Sequence, residues 1–107
     1  MNREIRWTST AEQDLQEIVE YIFQDNADAA IEVLDRIESR AMALSEFPLR
    51  GRLVPELQIT GISHYRELIE APWRIVYRQL HGEVHIVGVF DSRRDLDVVL
   101  LDRIGRM

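Results

Sequence analysis

"HYRELIEAPWRIVYRQL", His64–Leu80, decides the fold of this chain. It reads as two strands, His64–Glu70 and Trp73–Leu80, joined through the short turn "EAPW". A third run, Glu83–Asp91, follows "HGE", where Gly82 suits a hairpin turn. In Trp73–Leu80 the period of two puts Trp73, Ile75 and Tyr77 on one face and Arg74, Val76 and Arg78 on the other. The Trp/Ile/Tyr set is the core face. "VHIVGVF" in the third run is apolar at nearly every position, which suits a strand inside the sheet with both faces covered.

Upstream, "EIRW" (Glu4–Trp7) alternates and predicts a short first strand. "TST" follows, and Ser9 with Glu12 has capping-box spacing. Leu15, Ile18, Val19 and Ile22 then recur at helical spacing, predicting a helix from about Thr10 to Gln24. "QDNAD" (Gln24–Asp28) is turn-forming, and Asp28 is placed to cap a second helix carrying Ala30, Leu34, Ile37, Ala41 and Leu44. Pro48 ends that helix near Ser45. So short a link predicts an antiparallel helix hairpin. "FPLRGRLVPEL" (Phe47–Leu57), punctuated by Pro48, Gly51 and Pro55, reads as an extended connection. Leu96, Val99, Leu100 and Ile104 suggest a short C-terminal helix. Helices come first and strands later. The expected fold class is α+β: an N-terminal strand, a helix hairpin on a mostly antiparallel four-stranded sheet, and a short last helix.

The 107 residues suit one domain, 1–107. With 46% hydrophobic and 30% charged residues the composition is that of a soluble globular protein. There is no cysteine, which removes disulfides and thiolate chemistry and fits a reducing cytosol. The N-terminus lacks an apolar signal segment, and no run approaches the ~18 apolar residues of a membrane span. A cytoplasmic protein is expected. The net charge is −6, and all thirteen basic residues are arginine. Codon usage in a GC-rich genome explains much of that bias, but arginine also suits bidentate phosphate or carboxylate contacts. Residues 1–47 carry a balance of −7 and residues 48–107 a balance of +1. Only a local cluster in the second part could attract a polyanion.

Such a cluster is available on paper. Arg74 and Arg78 share the face opposite the core, Arg66 can join them from the preceding strand, and Arg93 and Arg94 follow the last strand. Converging, the five would form an anion site. The alternative is that they are scattered and paired with Glu67, Glu70, Asp91 or Asp95. His64, His81 and His85 lack metal-ligand spacing and read as polar strand or turn residues, although His64 or His85 could serve as a base. Asp91, Asp95 and Asp97, with arginines interposed, suggest ion pairs more than a cation site. No phosphate loop, zinc pattern or nucleophile motif is present, so no metal or cofactor is expected. The acidic face of the first helix (Glu12, Glu17, Glu20) is a solvated surface or a place where a partner lies as an amphipathic helix.

Four stretches in order, Trp7–Ile22, Pro48–Leu57 ("PLRGRLVPEL"), Tyr65–Arg78 and Val84–Leu96 ("VHIVGVFDSRRDL"), resemble the RelE/ParE toxin superfamily of bacterial type II toxin–antitoxin modules. The resemblance spans nearly the whole chain. It implies a growth-arresting toxin neutralised by a cognate antitoxin protein, with a toxin–antitoxin hetero-oligomer possible. Two activities occur in the superfamily: RelE-like members cleave mRNA on the ribosome, and ParE-like members poison DNA gyrase. The RelE-like reading implies catalytic roles for Arg74, Arg94 and Arg66, positioning the scissile phosphate. The sequence departs from that pattern. Leu68 stands where a second basic strand residue is expected, and "DVVLL" is aliphatic where a tyrosine is expected. Without lysine or that tyrosine, acid–base catalysis has no evident agent. The ParE-like branch is therefore favoured. Antitoxin contacts are expected from Leu15, Ile18, Ile22 and Leu34 of the hairpin and from Arg66 and Arg74, the latter two meeting an acidic segment.

Overall fold

The structure is a computed structural model and describes residues 2–105. Strand β1 (Ile5–Trp7) leads into helices α1 (Ser9–Phe23) and α2 (Ala27–Met42), and α2 runs on into a 3-10 turn over Ala43–Ser45. Then come β2 (Arg52–Leu53), the short helix α3 (Pro55–Ile59), β3 (Arg66–Glu70), β4 (Trp73–Leu80), β5 (Glu83–Asp91) and α4 (Leu96–Gly105). The sheet order is β1-β5-β4-β3-β2. Every pairing is antiparallel except β1 with β5. The α+β arrangement matches the sequence reading, with β2 added as a two-residue edge strand and α3 added in the connection. Pro55 occupies the first turn of α3, where its missing N–H costs nothing.

Both helix caps lie one or two residues upstream of the sequence expectation. Thr8, not Ser9, caps α1: its Oγ1 accepts from the Ala11 N–H at 3.1 Å. Asn26, not Asp28, caps α2, accepting from the Ala29 N–H at 3.0 Å. An N-cap needs extended backbone, and Thr8 (ψ 157°) and Asn26 (ψ 106°) have it.

The β4–β5 turn is the tight two-residue hairpin that "HGE" predicts. His81 (φ 53°) and Gly82 (φ 77°) both lie in the left-handed region, with Leu80 paired to Glu83. Further along, the β4–β5 register slips. Val76 pairs with Gly88 but Tyr77 with Ile86, so Val87 is an extra residue on β5. The bulge resets the pleat. Ile86 and Val89 both join the core under α1 and α2, whereas Val87 and Phe90 join the core on the opposite face.

The sheet is thus covered on both sides. One core packs Leu15, Ile37, Leu44, Ile75, Tyr77 and Ile86 between the sheet and the α1–α2 hairpin. The other packs Val54, Leu57, Tyr65, Val76, Phe90 and Leu100 between the sheet and the α3–α4 side. Fully burying an aliphatic or aromatic side chain of this kind contributes about 1.5–3 kcal/mol. The second core covers the face opposite Trp73, Ile75 and Tyr77, the face on which the sequence reading gathers its arginines.

Candidate functional site

Arg74 sits on the second face, where the sequence places it, but it is enclosed. Its side chain is only 8% exposed. Its Nε and Nη2 donate to the Glu67 carboxylate, and its Nη1 and Nη2 each donate to Glu56 at 2.6 Å. Glu67 is fully buried and also accepts from Arg52 Nε at 2.8 Å. Two arginines and two carboxylates thereby form a neutral network. It ties α3 to β2, β3 and β4. The hydrogen bonds it donates to Glu56 hold the Arg74 guanidinium well above its ordinary basicity, against the desolvation that opposes charge. The same bonds hold the Glu56 carboxyl below the usual glutamate range.

The other arginines do not gather around Arg74. Arg66 lies opposite Tyr77 in the β3–β4 register, which places it on the hairpin face of the sheet and not beside Arg74. Its Nη1 donates to the Gly51 carbonyl at 2.8 Å. Tyr77 completes that anchor: its hydroxyl donates to the Pro48 carbonyl at 2.7 Å and accepts from the Gly51 N–H at 3.0 Å. A Cβ at Gly51 would lie 2.6 Å from the Glu67 carbonyl oxygen, so only glycine lets the loop approach this closely. Arg78 does share the second face, stacked over the Tyr65 ring at 5.6 Å.

Arg93 and Arg94 stand apart, at a groove of about 780 Å³ between α1, the end of β5 and α4. Arg93 is chelated by Asp91, with contacts of 2.9 and 2.7 Å. That side-chain hydrogen bond pulls the Asp91 carboxyl down to about 2. The groove also holds Asp14 and Arg103, paired at 2.9 and 3.0 Å. Asp14 accepts from the Val89 N–H, and Arg103 donates to the Val87 carbonyl, so side chains satisfy β5 where β1 no longer runs beside it. The convergence of five arginines expected from the sequence does not occur. Register separates Arg66 from Arg74, carboxylates enclose Arg74, and chain distance leaves Arg93 and Arg94 at the far groove.

The hairpin residues divide between two grooves that flank α1. Ile18 and Ile22 line the one just described, beside Tyr21 and Trp73. Leu15 and Leu34 line another, with Trp7 and Val19. The histidines remain polar accessories: His85 pairs with Glu83 at 3.0 Å, His64 lies tilted against Tyr65, and His81 is in the turn. Among the described residues no group of three His, Asp or Glu could hold a metal ion. No helix among them is long and apolar enough to cross a membrane.

Two functional-looking pairs escape the sequence reading. Glu56 is hidden because α3 reads as loop. Asp14 is not: it lies three residues after Ala11 and four before Ile18, an acid inside the apolar stripe of α1. Such a residue signals a buried partner.

The profile of the family described as the ParE toxin of the type II toxin–antitoxin system, parDE, matches residues 5–96. A putative toxin, Y4kP, of Sinorhizobium fredii is 37% identical over 100 residues, covering 92% of this chain and 97% of the relative. Toxin RelE2 of Caulobacter vibrioides is 34% identical over 92 residues, covering 85% and 97%. Among solved structures, the chromosomal ParDE toxin–antitoxin system from P. aeruginosa superposes with a TM-score of 0.68 at 20% identity, covering 83% of this chain and 95% of that one. The RelBE2 toxin–antitoxin complex from Mycobacterium tuberculosis gives 0.62 at 24% identity, covering 85% and 92%. These two share the fold.

Proposed function

We infer the function of this chain from one premise: it belongs to the ParE toxin family of type II toxin–antitoxin systems. Within that family it acts as a ParE-like poison of DNA gyrase, held in check by a cognate antitoxin, and does not cleave mRNA. The observation that carries this reading is the enclosure of Arg74. A RelE-like mechanism gives the strand arginine the task of holding the scissile phosphate. Here four of its five N–H bonds are spent on Glu56 and Glu67. A phosphate approaching it meets two carboxylates and has to displace four charge-assisted hydrogen bonds. The loss of the second basic strand position to Leu68, which is buried in the hairpin core, works in the same direction. The antitoxin partner is supported by the two solved relatives, which are a toxin–antitoxin system and a toxin–antitoxin complex.

The RelE-like alternative is favoured by one geometric fact. Arg94 is exposed at the mouth of the α1–α4 groove, near Asp91, whose side chain is chelated by Arg93. Inducible expression of the chain without its antitoxin separates the two. A ParE-like toxin induces the DNA-damage response and leaves ribosome-bound mRNA intact. Site-specific mRNA cleavage without DNA damage, abolished by Arg94→Ala, would establish the alternative.

A further inference from the structure

Arg74 presents two faces, and each holds one carboxylate. The side face, Nε and Nη2, grips Glu67. The end face, Nη1 and Nη2, forks onto Glu56 with both contacts at 2.6 Å. The two carboxylates are not held alike. The Glu67 side chain is sealed from water and is also bound by Arg52. The Glu56 side chain keeps 23% of its surface in water. Its helix, α3, has five residues and no side-chain cap at its start. Glu56 can therefore turn outward by side-chain rotation alone, while Leu57 beside it stays in the second core. Arg52 acts on the same carboxylate: its charge helps to hold the Glu56 carboxyl low, and its own side chain is largely exposed. With Glu56 turned away, Arg52 and Arg74 share Glu67 alone, and the three groups carry a net positive charge.

We propose that the end face of Arg74, with Arg52 beside it, is a closed binding site for an oxyanion, and that Glu56 is the internal anion that plugs it. The Glu56 carboxylate stands in for the ligand, held by two parallel N–H donors. A guanidinium fork of this kind accepts a carboxylate or two oxygens of a phosphate. Closure is a competition within one chain. A tethered carboxylate acts at a local concentration of about millimolar or more, so dilute free anions leave it in place. An Arg74 that is purely structural and an Arg74 whose site is plugged differ in one respect. Only the second gains a ligand when the Glu56 charge is removed. The inference concerns the chain alone and does not rest on which target the toxin attacks.

The test titrates the full chain with inorganic phosphate and, separately, with acetate at constant ionic strength. Binding is read from the side-chain N–H resonances of Arg52 and Arg74 in NMR spectra. Wild type, Glu56→Ala, Glu56→Gln and Glu56→Ala/Arg52→Ala are compared. Glu67 still pairs with both arginines in the single variants, and the glutamine variant keeps the side-chain volume where alanine loosens α3. A plug that leaves the site open a tenth of the time or less weakens apparent binding by the same factor. Glu56→Ala therefore binds at least ~10-fold more tightly than the wild type, with Glu56→Gln between them. The double variant loses most of that gain. A gain for phosphate alone assigns the site to phosphate groups, a gain for acetate alone assigns it to carboxylates, and a gain for both assigns it to either oxyanion. Affinities in both single variants equal to the wild type, shifts that miss Arg52 and Arg74, or a gain that survives the loss of Arg52 overturns the proposal.

Discussion

At the scale of single residues, Arg74 decides most. Removing it strands Glu67, which is fully buried, with only the half-exposed Arg52 for company. Arg74→Ala therefore lowers the unfolding free energy by about 3 kcal/mol or more in urea titration. Arg74→Lys restores less than half, because an ammonium cannot fork across two carboxylates. A loss below about 1 kcal/mol for Arg74→Ala would mean that the network is ornamental. Asp91 gives a pH signature. Its carboxyl is pulled from 3.8 to about 2 by Arg93, so its contribution is complete above pH ~4 and is lost as the pH falls toward ~2. Asp91→Asn is thus less stable than the wild type at neutral pH, and acid titration followed by circular dichroism shows the two converging near pH 2. A gap that persists unchanged to that pH contradicts the pairing. Part of this was legible. Asp91 two residues before Arg93 invites a chelate, whereas the meeting of Glu67 with Arg74 depends on the β3–β4 register. Glu56 was not legible, because its helix reads as loop unless Pro55 is taken as a helix start.

At the scale of elements, the β5 bulge and the Asp14–Arg103 clasp fix how helices meet the sheet. The bulge lets one strand serve two cores with its phase reversed halfway. Gly88 permits it, since a Cβ there would lie 2.4 Å from the Phe90 ring and 3.0 Å from Arg103. Gly88→Ala is expected to cost about 1–3 kcal/mol by overpacking. Thermal unfolding checks this, and an unchanged midpoint would show that Phe90 moves aside freely. The clasp joins α1 to α4 across β5. Asp14→Ala is expected to speed amide hydrogen exchange through α4 while leaving α2 protected. Equal change in both helices would indicate global loosening. The strands, the hairpin and the last helix follow from periodicity and turn chemistry. The bulge does not, because a run apolar at nearly every position carries no phase. The face of Arg66 likewise depends on register, which Leu68 and Tyr77 settle only once the strands are paired.

At the scale of the whole molecule, charge is partitioned by element and neutralised locally. The acids of α1 and α2 other than Asp14 stay on the surface, whereas on the sheet Arg52 and Arg74 meet carboxylates, Arg66 a carbonyl and Arg78 the Tyr65 ring. Among the described residues the sheet therefore presents no assembled cationic face, and the proposed protein target rests on that. Overall charge conceals this, since −6 is compatible with either arrangement. The most direct test incubates the purified chain with DNA gyrase and supercoiled plasmid, and separately with programmed ribosomes. The account predicts gyrase-dependent DNA breaks with loss of supercoiling activity, and intact mRNA in the ribosomal A site. Unimpaired gyrase together with cleaved mRNA would contradict it.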